Sequence, residues 1–272
     1  MSVLQAVGEL GVRVDVTMAI LTVALLMARV LPMMVLSPVL GGEAVPTEVK
    51  IGLGLVLSMV LYPFVEARIT ILPTSAIPFI AVLLKELFIG VCLAFIVNLV
   101  FEAARLAGAL IDTLAGTSMA QLVVPQLQSQ ASIWSSLEFQ FAAVLFLTLH
   151  GHHLIIEALA DSLQAIPLDR FPAFSGGAWA FFETVIRAWA GLFEVGLALS
   201  APALLVVLLT DLAFGIINKI APQVQVFFMA MSLKPLLATL IILVSLQLLA
   251  TRLAGEFQMM FRFLRQALNA LA

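Results

Sequence analysis

The chain is organised as long apolar runs separated by short stretches rich in Gly, Pro and Ser. The runs are Val16–Leu36, Ile51–Val65, Ile77–Phe101, Trp134–Leu149, Phe193–Leu209 and Leu236–Ala250. About 20 residues of helix are needed to span the hydrocarbon of a bilayer, and these runs lack the alternation of a barrel strand. The pattern therefore predicts an all-α integral membrane protein, with Ile51–Val65 and Leu236–Ala250 short for a full span. The stretches GGEAVPTEVK (41–50), LPTSAIP (72–78) and IPLDRFPAFSGG (166–177) read as loops, the last as the boundary between two halves. Beyond Ala250, apolar residues recur every three or four positions at Leu253, Phe257, Met260, Leu264, Leu268 and Leu271, opposite Arg252, Arg262 and Arg265. That spacing predicts an amphipathic helix for a membrane surface or a partner's groove, with its arginines on the cytoplasmic side.

Composition agrees with the pattern. Of 272 residues, 63% are hydrophobic and 11% charged, where soluble domains are about half apolar and about a quarter charged. A net charge of -3 gives no electrostatic footprint for nucleic acid. Glu9, Arg13 and Asp15 precede a first run longer than the core of a signal peptide, so that run is expected to stay in the mature protein. The single cysteine, Cys92, lies in an apolar run and reads as packing.

Two stretches fit neither loop nor span. In EAARLAGALIDTLAGTSMAQLVVPQLQSQ, Glu102, Arg105 and Asp112 punctuate a helix, with Arg105 and Asp112 on one face. Small and polar residues then lead to Pro125. In TDLAFGIINKIAPQVQVFFMAMSLKPLL, Asp211, Lys219 and Lys234 accompany the Pro222–Gln223 pair and Pro235 between two apolar runs. Arg29, Lys85 and Glu86 lie inside runs as well. A charge at mid-bilayer costs about 2.5–3.5 kcal/mol on insertion scales, so these groups must face protein, an opposite charge or water. Adjacent positions on a helix point about 100° apart, so at least one of Lys85 and Glu86 needs a partner elsewhere. Two explanations stand: ion pairs inside one bundle, or broken helices that line a pathway or are wrapped by other subunits.

Candidate chemistry is sparse. His150, His152 and His153 could suggest a metal, but Gly151 interrupts the stretch and Glu157 is the one close carboxylate; the sequence predicts no metal and no cofactor. No phosphate-binding glycine loop, nucleophile elbow or HExxH occurs, so no catalysis is expected. Most methionines read as core filler, with Met229 and Met231 candidates for a deformable seal. A secondary transporter is the alternative that charges and broken helices allow, although the first part here is much longer than the second.

Five segments in order, RVLPMMVLSPVLGGEAVPTEVKIGL, KELFIG, LAGALIDTLAGTSMA, LFLTLHGHHLIIEALADSLQAIP and DLAFGIINKIAPQVQVFFMAMSLKPLLA, resemble the FliR/SctT family of export-gate proteins. The most specific parts are APQ-x-x-x-F and GHH-x-x-I followed by S-x-x-x-IP. The resemblance implies a noncatalytic subunit of the type III secretion export gate in the bacterial inner membrane, at the base of a flagellum or injectisome. It further implies a hetero-oligomeric helical cone built with P/R-type and Q/S-type subunits, contacts with the switch (U/B-type) and large (A/V-type) subunits, and unfolded export substrates. Residues 1–175 would resemble the P/R-type subunit and 176–250 the Q/S-type hairpin, with 251–272 the amphipathic helix. Asp112, Gly116, Thr117, Ser118, Met119, Ala120 and Gln121 would fall in the family's plug. Asp211, Lys219, Pro222, Gln223, Met229, Met231 and Lys234 would lie at the pore entrance or pack on subunits. The LVVPQLQSQ stretch departs from the Gly- and Asp-rich flagellar pattern, and IDTLAGTSMA leans toward the virulence type.

Overall fold

A computed structural model describes residues 16–42, 45–66, 73, 75–117, 132–174 and 177–272. Eight helices occupy them: α1 (Val16–Leu36), α2 (Pro38–Gly41), α3 (Thr47–Glu66), α4 (Ala76–Ala115), α5 (Ile133–Thr148), α6 (Gly151–Ala165), α7 (Ala178–Ile220) and α8 (Val226–Leu271). There are no strands among the described residues. Five helices are long and apolar enough to cross a membrane. The α5–α6 pair, bent by 72°, makes a sixth candidate if it is one span.

The helices keep their backbone polar groups paired internally, as apolar surroundings demand. Hydroxyls inside them follow the same rule by folding back on the preceding turn. Thr22 Oγ1 donates to Met18 O at 2.8 Å, Ser58 Oγ to Gly54 O at 2.8 Å and Thr210 Oγ1 to Val206 O at 2.7 Å. Prolines 32, 63, 202 and 235 all sit inside helices.

Several expected boundaries shift. The run Ile51–Val65 extends to the 20 residues of α3 and is not short. Leu236–Ala250 is no separate segment: α8 runs unbroken for 46 residues through Pro235 and past Ala250 to Leu271. The chain reverses instead at Ala221–Gln225, where Val224 N donates to Ala221 O at 3.0 Å. Gly151 begins α6, and the break falls at Leu149–His150, with His150 at φ 58°. The C-terminal stripe also departs from expectation. Leu253, Phe257, Met260, Leu264, Leu268 and Leu271 are all buried within this chain. That face is covered already and is not free for a bilayer or a partner, because its 3–4 spacing matches the chain's own core as well as any external groove.

The contacts resolve into two compact units. One comprises α1–α3, α4 as far as Phe95, Ile155–Phe181 and the chain from Ala267 onward. There α1 packs on α3, and Leu25, Leu26, Met33, Met34, Ile89 and Leu93 are all fully buried. Gly90 lets α4 approach α1 so closely that a side chain at this position would strike the Arg29 carbonyl. The second unit comprises Ile96–Leu154 and Phe182–Gln266. Its core is aromatic: the Phe101 ring lies 5.4 Å from Phe146 and 5.5 Å from Phe257, and Phe146 and Phe257 are 5.0 Å apart.

One buried polar cluster organises the first unit. Arg29 is 0% exposed. Its Nε donates to Glu86 Oε2, one η nitrogen donates to Ser162 O at 2.8 Å, and the other to Ile166 O at 2.8 Å. It therefore binds a carboxylate on α4 and two carbonyls at the α6 terminus, Ser162 O, which also accepts Ile166 N at 2.9 Å, and Ile166 O. Removing one partner of such a buried pair typically costs about 3–5 kcal/mol, whereas replacing both with apolar groups costs far less. Glu86→Leu is accordingly expected to lower the melting temperature of the detergent-solubilised chain steeply. Combined with Arg29→Met it should recover part of that loss, and additive losses would show the pair is not coupled.

Candidate functional site

The charges the sequence singled out fall into three places. At the first, Glu86 Oε2 accepts from Arg29, while Glu86 Oε1 lies by the Lys85 ammonium without an aligned hydrogen bond. Lys85 Nζ donates to Pro167 O (3.1 Å), Leu168 O (3.1 Å) and Arg170 O (2.8 Å). Both members of the Lys85–Glu86 pair thus have further partners, as their divergent directions require. The 166–170 stretch turns its carbonyls toward cations, which anchors a segment that composition alone marks as a linker. This cluster is structural, since every strong donor in it is committed to protein acceptors.

The second place is the end of α4 and the start of α5. Arg105, Gly108 and Asp112 lie at i, i+3 and i+7, so they share one face. The α5 N-terminus crosses this face. Ser135 Oγ donates to Arg105 O at 3.0 Å, and a side chain added at Gly108 would collide with the Ser135 backbone. Asp112, 2% exposed, accepts from Trp134 N at 2.9 Å and Ser135 N at 3.3 Å through Oδ2. Through Oδ1 it accepts from Thr117 Oγ1 at 2.5 Å. One carboxylate thus caps a helix N-terminus, where the dipole favours negative charge, and also holds the turn containing Gly116, at φ 79°. Asp112 thus ties Thr117 to the Trp134 and Ser135 amides, and Ser118, Met119, Ala120 and Gln121, which fall between them in the sequence, lie outside the described residues. Arg105 stacks on Phe139, 3.9 Å from its ring centroid, and pairs at 3.6 Å with Glu102.

The third place is the α7–α8 turn. Asp211 precedes Pro222 by eleven residues and Lys234 follows Gln223 by eleven, and the two side chains form an ion pair across the hairpin. Lys219 is exposed and has no partner among the described residues. Pro222, Gln223 and Met229 are exposed too, with Met231 half-buried. Large apolar side chains crowd the same end, including Ile220 (78% exposed) and Phe227 (66%).

The three histidines cluster at the α5–α6 break, their rings 4.2–6.3 Å apart, but no three metal-binding side chains converge among the described residues. Sequence reasoning missed Glu138. It is a buried carboxylate of α5 whose Oε2 has no hydrogen-bond partner among the described residues. Its signal was present: an acid inside the apolar run from Trp134.

An N-cap is typically worth about 0.5–2 kcal/mol. Asp112→Ala should raise amide hydrogen exchange at Trp134 and Ser135 by roughly three- to thirtyfold, with a smaller rise for Asp112→Asn. Unchanged exchange at Trp134 would contradict the cap, whereas Ser135 N keeps a second acceptor in Ser132 Oγ at 3.2 Å.

Residues 20–260 match the family described as Bacterial export proteins, family 1. The flagellar biosynthetic protein FliR of Bacillus subtilis is 26% identical over 90% of this chain and 93% of its own length. FliR of Pectobacterium carotovorum subsp. carotovorum is 31% identical over 73% of this chain and 74% of its own. The secretion system apparatus protein SsaT of Salmonella typhimurium is 32% identical over 59% of this chain and 61% of its own.

Proposed function

The chain belongs to the bacterial export proteins of family 1, and on that footing we propose that it is a core subunit of the type III secretion export gate of the bacterial inner membrane. Its activity is protein export, as a component of the apparatus that sends flagellar or virulence proteins out of the cell. The transporter alternative is set aside, since the named relatives are flagellar, secretion-apparatus and translocation proteins. The family is one of apparatus components rather than of known enzymes.

The observation that carries the reading is length. At about 1.5 Å per residue, α4, α7 and α8, with 40, 43 and 46 residues, reach about 60, 65 and 69 Å. Hydrocarbon is about 30 Å thick and helices tilt on average about 20°. Half of each helix therefore extends beyond the lipid. Yet α7 exposes large apolar side chains along nearly its whole length, from Trp179 to Ile220, about 63 Å of helix, and α8 exposes them from Phe227 to Leu248. Such flanks outside lipid call for other protein, which fits wrapping by P/R-type and Q/S-type subunits, with the switch and large export-gate subunits beyond them. We assign residues 1–175 to the first part of that arrangement and the α7–α8 hairpin to the second.

Within it, Lys219 and the Pro222–Gln223 turn serve packing at the pore entrance, whereas Lys234 is engaged by Asp211. Lys219→Ala should reduce recovery of the assembled complex while Lys234→Ala chiefly loosens the hairpin; equal recovery in both would withdraw the assignment. The stretch from Gly116 to Gln121 serves as the plug, held at its base by Asp112. Deleting Gly116–Ala120 should leave assembly intact and admit small ions across the membrane, read as conductance with the other gate subunits present; a tight deleted complex would place the seal elsewhere, with Met229 and Met231 next. The function itself is tested by removing the chain from a bacterium that carries its apparatus. Secretion of the flagellar or virulence proteins should fall to background, and undiminished secretion would refute the reading.

A further inference from the structure

Glu138, the acid inside α5, takes part in none of the arrangements above. It sits on the buried stripe of that helix with Ala142 and Phe146, at i, i+4 and i+8. Ala142 and Phe146 are 0% exposed and Glu138 is 4% exposed. Phe146 packs on Phe101 of α4 and Phe257 of α8, so the carboxyl group lies on the face that meets the aromatic core of the second unit. Its Oε2 is buried and has no hydrogen-bond partner among the described residues.

No cation offsets it there. Among the described residues Glu138 enters no ion pair. On α4, Arg105 pairs with Glu102 and stacks on Phe139, while Asp112 is occupied by backbone amides and Thr117. On α8, Arg252 pairs with Glu256 and Lys234 with Asp211, and Arg262 and Arg265 are exposed. On α7, Arg187 pairs with Glu183, Glu194 is an exposed acid, and Lys219 lies at the turn to α8. The three histidines come after the far end of α5. The sequence narrows the field further, because no lysine or arginine occurs from Leu106 to Asp169, a span that includes the whole connection from α4 to α5. An isolated carboxylate in apolar surroundings is so costly that the group takes its neutral form instead. The acid then carries one O–H donor and no charge.

We propose that Glu138 is a proton-binding site, and that α5 keeps its packing in the second unit only while the proton is bound. Release of the proton to water leaves a carboxylate that must draw in water or a cation, which parts α5 from its neighbours. The effect reaches the α4–α5 crossing, since Trp134 and Ser135, whose amides Asp112 caps, lie one turn before Glu138 on the same helix. The sign follows from the binding: an unfolded glutamate loses its proton at about pH 4.3, so stability present below that pH is lost as pH rises. The inference concerns the chain by itself and does not depend on the export-gate reading.

Infrared difference spectra of the detergent-solubilised chain test the bound proton. Parent minus Glu138→Gln at neutral pH should show the carbonyl stretch of one protonated carboxylic acid; the bands of an ionised carboxylate in its place would overturn the proposal. Amide hydrogen exchange at Ala142 and Phe146 tests the coupling to packing. Parent and Glu138→Gln should exchange alike at about pH 4, and the parent should gain on the variant by up to about tenfold per pH unit above that. A ratio that stays constant with pH contradicts the coupling. Glu138→Leu should remain folded like Glu138→Gln, since neither carries the charge. Loss of fold in both variants, read by circular dichroism and gel filtration, would show that the ionised group is held by a partner and would also overturn the proposal.

Discussion

The Arg29 guanidinium is the interaction on which the first unit depends. A cation with no water must have its donors filled, and the chain fills them from two distant parts of its sequence. Glu86 supplies the charge, and the α6 terminus supplies Ser162 O and Ile166 O. Lys85, on the other side of Glu86, repeats the device on the carbonyls of Pro167, Leu168 and Arg170. Apolar packing is tolerant of sliding, because Leu on Leu has no direction. Hydrogen bonds from a rigid fork do have direction. The cluster thus sets the register of α1 on α4 and fixes where α6 ends, and Gly90 permits the approach it needs.

The second unit solves a similar problem with a carboxylate. Asp112 gathers amides and a hydroxyl where Arg29 gathers carbonyls, and Gly108 takes the part of Gly90 by admitting another backbone. In both units a buried charge completes a helix end, so the cost of burying charge is offset where helices most need partners. Around these fixed points α7 exposes large apolar side chains from Trp179 to Ile220, about 63 Å of helix, which hydrocarbon alone does not cover. Rigid anchoring inside and apolar flanks outside are what a subunit of a helical assembly requires.

Much of this was legible in the sequence. Apolar runs located six of the eight helices and missed α2 and α6, and charges within or just beyond them marked Arg29, Lys85, Glu86 and Asp112 as groups that must be engaged. Elsewhere the reading failed at helix ends. Windowed hydropathy stops at the first polar residues, so Leu236–Ala250 seemed short, although α8 continues through Thr251 and Arg252 without a break. Proline at 235 reads as a stop, yet α8 began nine residues earlier, and Thr239 Oγ1 bonds the carbonyl of that proline at 2.7 Å. The stripe from Leu253 to Leu271 announced that it would be covered but not by what. Pairings such as Asp211 with Lys234 depend on where the hairpin turns, which Pro222 suggested and Lys219 did not. The family resemblance supplied the function, which no spacing of residues here could.

The central claim is that the α7–α8 hairpin is covered largely by protein rather than by lipid. Photo-crosslinking side chains placed at Leu212, Ile220, Phe228 and Leu240, all exposed in the chain, test it most directly in assembled complexes within native membranes. The account predicts adducts chiefly with other subunits of the export gate at the positions nearest the turn. Adducts chiefly with phospholipid at all four would contradict it.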